Sequence, residues 1–478
     1  MTQTQSWTHK FLFSLAVALL LVTSVQQPGS SGRAQEPLTP QEVAYYVAPG
    51  GQDSNPGTIN QPWQTIQKAA DTLVAGETVY VRAGTYPEQV APQNSGSADN
   101  YITFAAYPGE TATIDGSGIT LLDDLVGLFH ISGQAYIRVS GLHIINAGPH
   151  DNNAGIMVLN SSHVIVEDNA TYNTNSSGIG VWGSDNITVE GNRVEEAGGG
   201  GWQECISVVG TDTFEVYDNE VLNCYKEGID AKDGSSNGQI YRNHVHHTQR
   251  VGIYVDAWEN HTHDIEIFQN VVHDVYDNDG FVVASEAGGL LQNIHIYNNI
   301  AYHNRYIGFS ISTNGVSGPM DGIAIINNTV YDNGWPDWGG GIAVDNPNAQ
   351  NVVVRNNIVS QNLYFQITVG LGVPAQNYTI DHNLIDGYRD HGDEGETRGD
   401  DYVEGDPQFL SASGANFGLQ ADSPAIDAGS ALDAPDTDFA GRPRPLDGDN
   451  DSAALYDIGA YEMPFLSEQL YLPLILLW

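Results

Sequence analysis

The stretch IEIFQNVVH at residues 265–273 returns as IHIYNNIAY at 294–302 and as IAIINNTVY at 323–331. In each copy alternating apolar residues run into an Asn, and the alternation resumes after it. The pattern extends back through QIYRNHVHH, FEVYDNEVL, ITVEGNRVE and VIVEDNATY, and forward through VVVRNNIVS and YTIDHNLID. Its Asn positions are 169, 192, 219, 243, 270, 299, 328, 357 and 383, separated by steps of 23 to 29 residues. Self-similarity at such a period marks a solenoid, in which each copy is one supersecondary unit stacked on the last.

A second register lies between the copies: GIMVL from Gly155, GIGVW from Gly178, CISVV from Cys205, GIDAK from Gly228, GIYVD from Gly252, GFVVA from Gly280, GFSIS from Gly308 and GIAVD from Gly341. Two short alternating strands per period describe one coil. Leucine-rich repeats share this period but need an L-x-x-L-x-L consensus, which is absent; β-branched residues around a fixed Asn suit a parallel β-helix. Stacked coils set each Asn above the previous one at ~4.8 Å, where amides hydrogen-bond along the stack, so the Asn column is expected to be structural. The predicted fold is all-β, a parallel β-helix over 45–385. Ile66, Ala69, Ala70 and Leu73 follow helical spacing and predict an N-terminal capping helix that blunts the open end. Residues 386–462 lose the repeat and turn rich in Asp, Gly and Pro, predicting irregular C-terminal coils. An apolar tail, 463–478, is too short to span a bilayer.

Of 478 residues, 59 are Asp or Glu and 16 are Lys or Arg, a net charge of −43. So acidic a surface repels nucleic acid. A 41% hydrophobic content excludes disorder. Lys10 precedes the apolar run Phe11 to Val22, the form of a secretory signal, so residues 1–34 are expected to be a signal peptide. The mature chain is then secreted or at the cell surface, monomeric and without a stable transmembrane span. Cys205 and Cys224 are the only cysteines, which rules out a disulfide framework and a Cys-based metal pattern. Whether they pair is open.

Strand alternation turns Ile229 and Ala231 inward and places Asp230, Lys232, Tyr254 and Asp256 together on one exposed face. Glu204, Glu227, Arg250 and Asp279 begin the same strands, and Trp182, Trp258 and Glu286 lie nearby. Aromatic rings flanking carboxylates on a groove suit a sugar chain, with Trp182, Tyr254, Trp258 and Glu286 as substrate-binding residues. The bland reading is a solvated acidic face with a Lys232–Asp256 ion pair. Repulsion among Glu204, Glu227, Asp279 and the two site aspartates favours a hard divalent cation such as calcium. Asp230 and Asp256, offset by one coil and two residues, have Cα atoms roughly 8 Å apart, inside the range of the acid pair of an inverting glycosidase. A base lysine needs a lowered pKa, yet Asp230 and Asp256 should raise that of Lys232. His246 and His273 share another outward column, with no third metal ligand apparent. Asp447, Asp449 and Asp451 resemble a calcium loop that lacks its twelfth-position Glu.

The opening YYVAPGGQDSNPGT, the AGETVYVRAGTY stretch and the Asn-punctuated coils resemble right-handed parallel β-helix proteins of the pectate-lyase-like superfamily. The segment from DPQFLSASGANFGLQADSPAIDAGS through RPRPLDGDNDSAALYDIGAYE is similar to the tail of many exported bacterial β-helix proteins. The resemblance implies a right-handed coil and an extracellular polysaccharide partner, in a superfamily holding lyases, hydrolases, epimerases and proteins without known chemistry. Alginate lyases and chondroitinase B carry a Glu, a Lys five residues on and an Arg one coil later, with calcium beside them. Glu227 and Lys232 match, which implies a calcium ligand and the base that removes the C5 proton. The Arg position holds Asp256, with Arg250 as the substitute. The D-D-G-x-x-D calcium cluster of family-nine pectate lyases is absent, its place taken by Arg250, Val251, Gly252 and Tyr254. The resulting expectation is a polysaccharide lyase acting by β-elimination on a uronate polymer with calcium, Lys232, Asp230, Asp256 and Arg250 forming its catalytic set. The alternatives are an inverting glycoside hydrolase using the Asp pair and a non-catalytic glycan-binding or surface protein.

Overall fold

Each repeated Asn sits in a tight corner whose preceding residue takes the left-handed conformation. Asp168, Asp218, Arg242, Gln269, Asn298, Asn327, Asn356 and His382 have φ between 51° and 56°, and Gly191 has φ 63°. That corner turns the chain from one strand into the next without a loop, and the ladder Asn satisfies the backbone groups it exposes. The computed structural model describes residues 43–336, 338–389, 395–448 and 452–463. The expected signal segment, the apolar tail beyond Met463, and Asp449 and Asp451 lie outside the described residues.

The strands form three long parallel sheets. The first runs from Val43–Val47 to Tyr378–Asp381, the second from Gly84–Tyr86 to Val403–Glu404, and the third from Gly127–Ser132 to Phe365–Val369. Within each sheet a strand pairs with its equivalents one coil earlier and one coil later. Parallel pairing needs a crossover, and the winding of the chain supplies it. The expected parallel β-helix is thus the observed architecture.

The core is the inside of the coil. Ile156, Ile179, Ile206, Ile229, Ile253, Phe281, Phe309 and Ile342 are all buried, as are Val158, Val181, Val208, Ala231, Val255, Val283, Ile311 and Val344. At the corner, Asn243 Nδ2 donates to Asn270 Oδ1 at 3.0 Å and Asn270 Nδ2 to Asn299 Oδ1 at 3.0 Å, within a run unbroken from Asn169 to Asn383. A second, shorter ladder joins Asn304, Asn333, Asn362 and Gln366. Cys205 and Cys224 form a disulfide, Cα to Cα 6.0 Å, which closes the open question of their pairing.

The capping helix spans Ile66–Thr72 and buries Ile66, Ala69 and Ala70 against the first coils; the Thr65 side chain accepts from Lys68 N. Beyond residue 386 the chain adds a hairpin, Phe409–Ser411 with Asn416–Leu419, and then packs along the outside of the second sheet. Phe409, Phe417, Leu419 and Ile458 join Ile300, Ile358 and Leu384 in a separate apolar cluster. Buried Arg444 pins this segment through Glu462 at 2.5 Å and the Asn298 side chain at 3.1 Å. At the far end of the third sheet, Thr397 N donates to Ile367 O, Val369 N to Gly395 O, and Gln366 N to Glu396 Oε1.

Candidate functional site

The third sheet carries the candidate site on its outer face. Ser207, Asp230, Tyr254 and Val282 are register partners, as are Val209, Lys232, Asp256 and Ala284, with Trp182 two coils before Lys232 in that second row. Alternation dictates the outward direction. It does not dictate exposure, and here the sequence expectation needs correcting: Asp230 and Asp256 are each 2% exposed and Tyr254 is buried. The turns that enter and leave these strands fold over the row, bringing Glu204, Trp258 and Glu286 onto it.

Lys232 does not pair with Asp256. Its Nζ lies 2.5 Å from Glu204 Oε1 and 3.3 Å from Asp230 Oδ2. Burial opposes the ammonium, but those two carboxylates outweigh it and raise the lysine pKa. Ser207 donates to Glu204 Oε2 at 2.6 Å and fixes that carboxylate. Burial drives the Asp230 carboxyl well above the usual range against the pull of Lys232, with Glu204, Asp256 and Glu227 adding to the effect. Glu227 is raised by burial and then by Glu204. Arg250 lies 3.6 Å from Glu227 and is about half exposed, so its nearest acid is Glu227 and not Asp256.

Asp256 occupies the next coil. Its Oδ1 accepts from the backbone N–H groups of Trp258 at 3.0 Å and Glu286 at 3.3 Å. Burial, and then the Glu286 charge, push its pKa up to about 7. Tyr254 donates a short hydrogen bond to Glu286 and accepts one from Asn314. Asp279 stands apart from the other acids. It accepts from Ile307 N at 2.9 Å, and its carboxyl is pushed up to about 7 by burial and, further down, by Asp345.

The cluster of Glu204, Glu227 and Asp230 thus shares Lys232 and Arg250, and Asp230 Oδ1 is buried with no hydrogen-bond partner among the described residues. All three are hard oxygen donors, but among the described residues the group of metal-ligating side chains whose donor atoms lie within 4.8 Å of one another is Glu220, His244 and His246, on another sheet. Trp258 is 46% exposed at the rim. Ser207, Asn314 and Asp345 were not legible as site residues, because a neutral or distant side chain in an outward row carries no charge signal. Trp202 and Tyr225, both exposed, stand two residues before Glu204 and Glu227 and went unread; their spacing from the acids is the signal that could have found them. A shallow groove of about 780 Å³ on the first sheet, lined by Glu215, Gln239, Glu266 and His295 among others, lies on a different face and gathers no comparable buried acids.

The family model described as Pel9A-like, right handed beta helix region matches residues 45–356. The uncharacterized protein YwoF of Bacillus subtilis (strain 168) is 29% identical over 436 residues, covering 80% of this chain and 91% of its own length. Pectate lyase PEL9 of Emericella nidulans is 37% identical over 116 residues, 22% of this chain and 28% of that enzyme. Among solved structures, pectate lyase Pel9A has a TM-score of 0.53 at 18% identity, over 88% of this chain and 96% of its own. XylC in complex with xylose has a TM-score of 0.59 at 15% identity, over 88% and 99%. At these identities the two structures share the fold.

Proposed function

This chain belongs to the Pel9A-like right-handed β-helix family, and from that premise we propose that it is a secreted enzyme cleaving an extracellular uronate-containing polysaccharide by β-elimination with calcium assistance. The observation that carries the reading is the buried, unpartnered Asp230 Oδ1 beside Lys232, within a group of three acids. The pectate lyases among the relatives support a lyase, and the Cys205–Cys224 disulfide supports an oxidising, extracellular compartment.

Glu204, Glu227 and Asp230 are the groups to hold calcium, which when bound neutralises their charge and attracts a substrate carboxylate. Lys232 takes the C5 proton in this reading, and for that it must first lose the proton that Glu204 and Asp230 now hold in place. The electron pair forms the C4–C5 double bond as the C4–O bond breaks. Asp256, the register partner of Lys232 one coil on, keeps its proton up to about pH 7 and can return one to the departing oxygen. Trp182, Tyr254, Trp258 and Glu286 line the sugar path.

A second reading has its own support. Asp256 is held near 7 and its Cα lies roughly 8 Å from that of Asp230 by strand geometry, a backbone spacing from which both side chains point outward as inverting hydrolysis requires, and Lys232 then serves as a fixed ammonium. Incubation with a panel of uronate and neutral polysaccharides separates the cases, with ultraviolet absorbance and product mass as readouts. Elimination gives an absorbing product one water lighter than that of hydrolysis. Lys232→Ala should lower elimination by at least about a hundredfold, and chelation should lower it too. Non-absorbing products together with inactive Asp230→Asn and Asp256→Asn establish hydrolysis. Binding of a polymer without cleavage establishes a glycan-binding protein.

A further inference from the structure

The outer face of the second sheet carries four histidines from two successive coils. On the sequence, His246 and His273 lacked a third partner; the register supplies it. Glu220 is the partner of His244, and Leu222, His246, His273 and Tyr302 form the neighbouring row. One donor atom each from Glu220, His244 and His246 lies within 4.8 Å of the others. His244 Nε2 lies 2.8 Å from His273 Nε2, and His246 Nδ1 lies 2.7 Å from His247 Nδ1.

Ring stacking alone explains part of this. His246 lies on His273 at 5.1 Å, and His273 on Tyr302 at 4.7 Å. It does not explain where the nitrogens point. His273 Nδ1 is 2.7 Å from Asp274 Oδ2, a contact that places the proton on Nδ1 and leaves Nε2 with a free lone pair. That lone pair faces His244 Nε2. His246 Nε2 is buried without a hydrogen-bond partner among the described residues, 3.6 Å from Glu220 Oε1. A carboxylate that orients the far nitrogen of an imidazole is the usual companion of a metal-bound histidine.

We propose that Glu220, His244, His246 and His273 form a binding site for one late first-row divalent transition metal of the zinc class. Three imidazole nitrogens and one carboxylate oxygen match zinc, whereas calcium takes all-oxygen sets. Tetrahedral bonds of ~2.1 Å set donors ~3.4 Å apart, so side-chain rotations close the site around Glu220, His244 and His246, whose donor atoms already lie within 4.8 Å of one another, and His273, 2.8 Å from His244, completes it. The proton that His244 Nε2 now directs at His273 Nε2 moves to His244 Nδ1, so that both Nε2 lone pairs can face the metal. The site is on a different sheet from Lys232 and is independent of the proposed cleavage chemistry.

The test uses the full chain, purified without a histidine tag and stripped with chelator. Titration with Zn²⁺ alone should show one ion per chain and no competition from excess Ca²⁺. Co²⁺ should produce the visible absorption of a low-coordinate nitrogen site. A His244→Ala, His273→Ala double variant should lose the cobalt spectrum and bind Zn²⁺ at least tenfold more weakly; Glu220→Gln, the milder change, should weaken binding if the double variant fails to fold. The proposal is overturned if the parent takes up no stoichiometric Zn²⁺, or if Glu220→Gln and the folded histidine variant bind as tightly as the parent.

Discussion

Asp256 is an acid held by two backbone N–H groups in a place water barely reaches. Burial, then Glu286, raises its pKa to about 7 against an ordinary 3.8. Between those values the folded chain binds a proton that the unfolded chain releases, so this residue's contribution to stability is present at low pH and is lost as pH rises through about 7. Asp256→Asn keeps the accepting oxygen and cannot ionise. Relative to the parent, the variant should match it near pH 4 and gain, by the order of 3 kcal/mol, by pH 8; denaturant melts at a series of pH values check this, and a constant difference sinks the assignment. The direction in which Asp256 points was readable from alternation with Val255. Its burial was not, since that depends on turns such as 257–261 and 285–290 whose lengths vary from coil to coil. For the same reason Lys232 was readable as an outward lysine but its partner Glu204, which arrives from a turn 28 residues earlier, was not.

The corner asparagine shows how one repeated residue becomes an element. Asn270 accepts from Asn243 N at 2.9 Å and Asn243 Nδ2 at 3.0 Å, and donates to Ile240 O at 2.8 Å. Asn270→Ala leaves these buried groups short of partners, at ~1–3 kcal/mol each, so chemical denaturation should show a loss of about 3 kcal/mol or more. Asn60→Ala, at an exposed turn position with no positive φ, serves as the comparison and should change stability little. The ladder was legible because a single residue type recurs at every step. The second ladder has the same 29-residue steps, Asn304, Asn333 and Asn362, but its last rung is Gln366, four residues on in the same coil, and the short run did not stand out against a high Asn background. The site rows lack any such recurrence. Their chemistry comes from single departures, Asp230 or Lys232, where the repeat expects small or apolar residues, and a departure marks a place without stating its reaction.

At the largest scale, the segment beyond residue 386 leaves the coil and lies along the second sheet. Deleting the chain from Asp406 onward should uncover Ile300, Ile358 and Leu384, raise binding of an apolar dye and shift the protein to larger species in gel filtration; a profile unchanged from the parent's would show that this strap contributes nothing to solubility. A surface of net charge −43 sets the scale on which that apolar strip would be felt, because repulsion between copies keeps the rest of the exterior apart. The end of the third sheet raises a different matter. A stack of parallel strands is, at its last rung, a template on which any compatible strand can crystallise, including the first rung of another copy. Gly395, Glu396 and Thr397 occupy the hydrogen-bonding groups of Gln366, Ile367 and Val369 that such a strand would need. At the end of this sheet, three residues stand where the next copy's strand would have to dock.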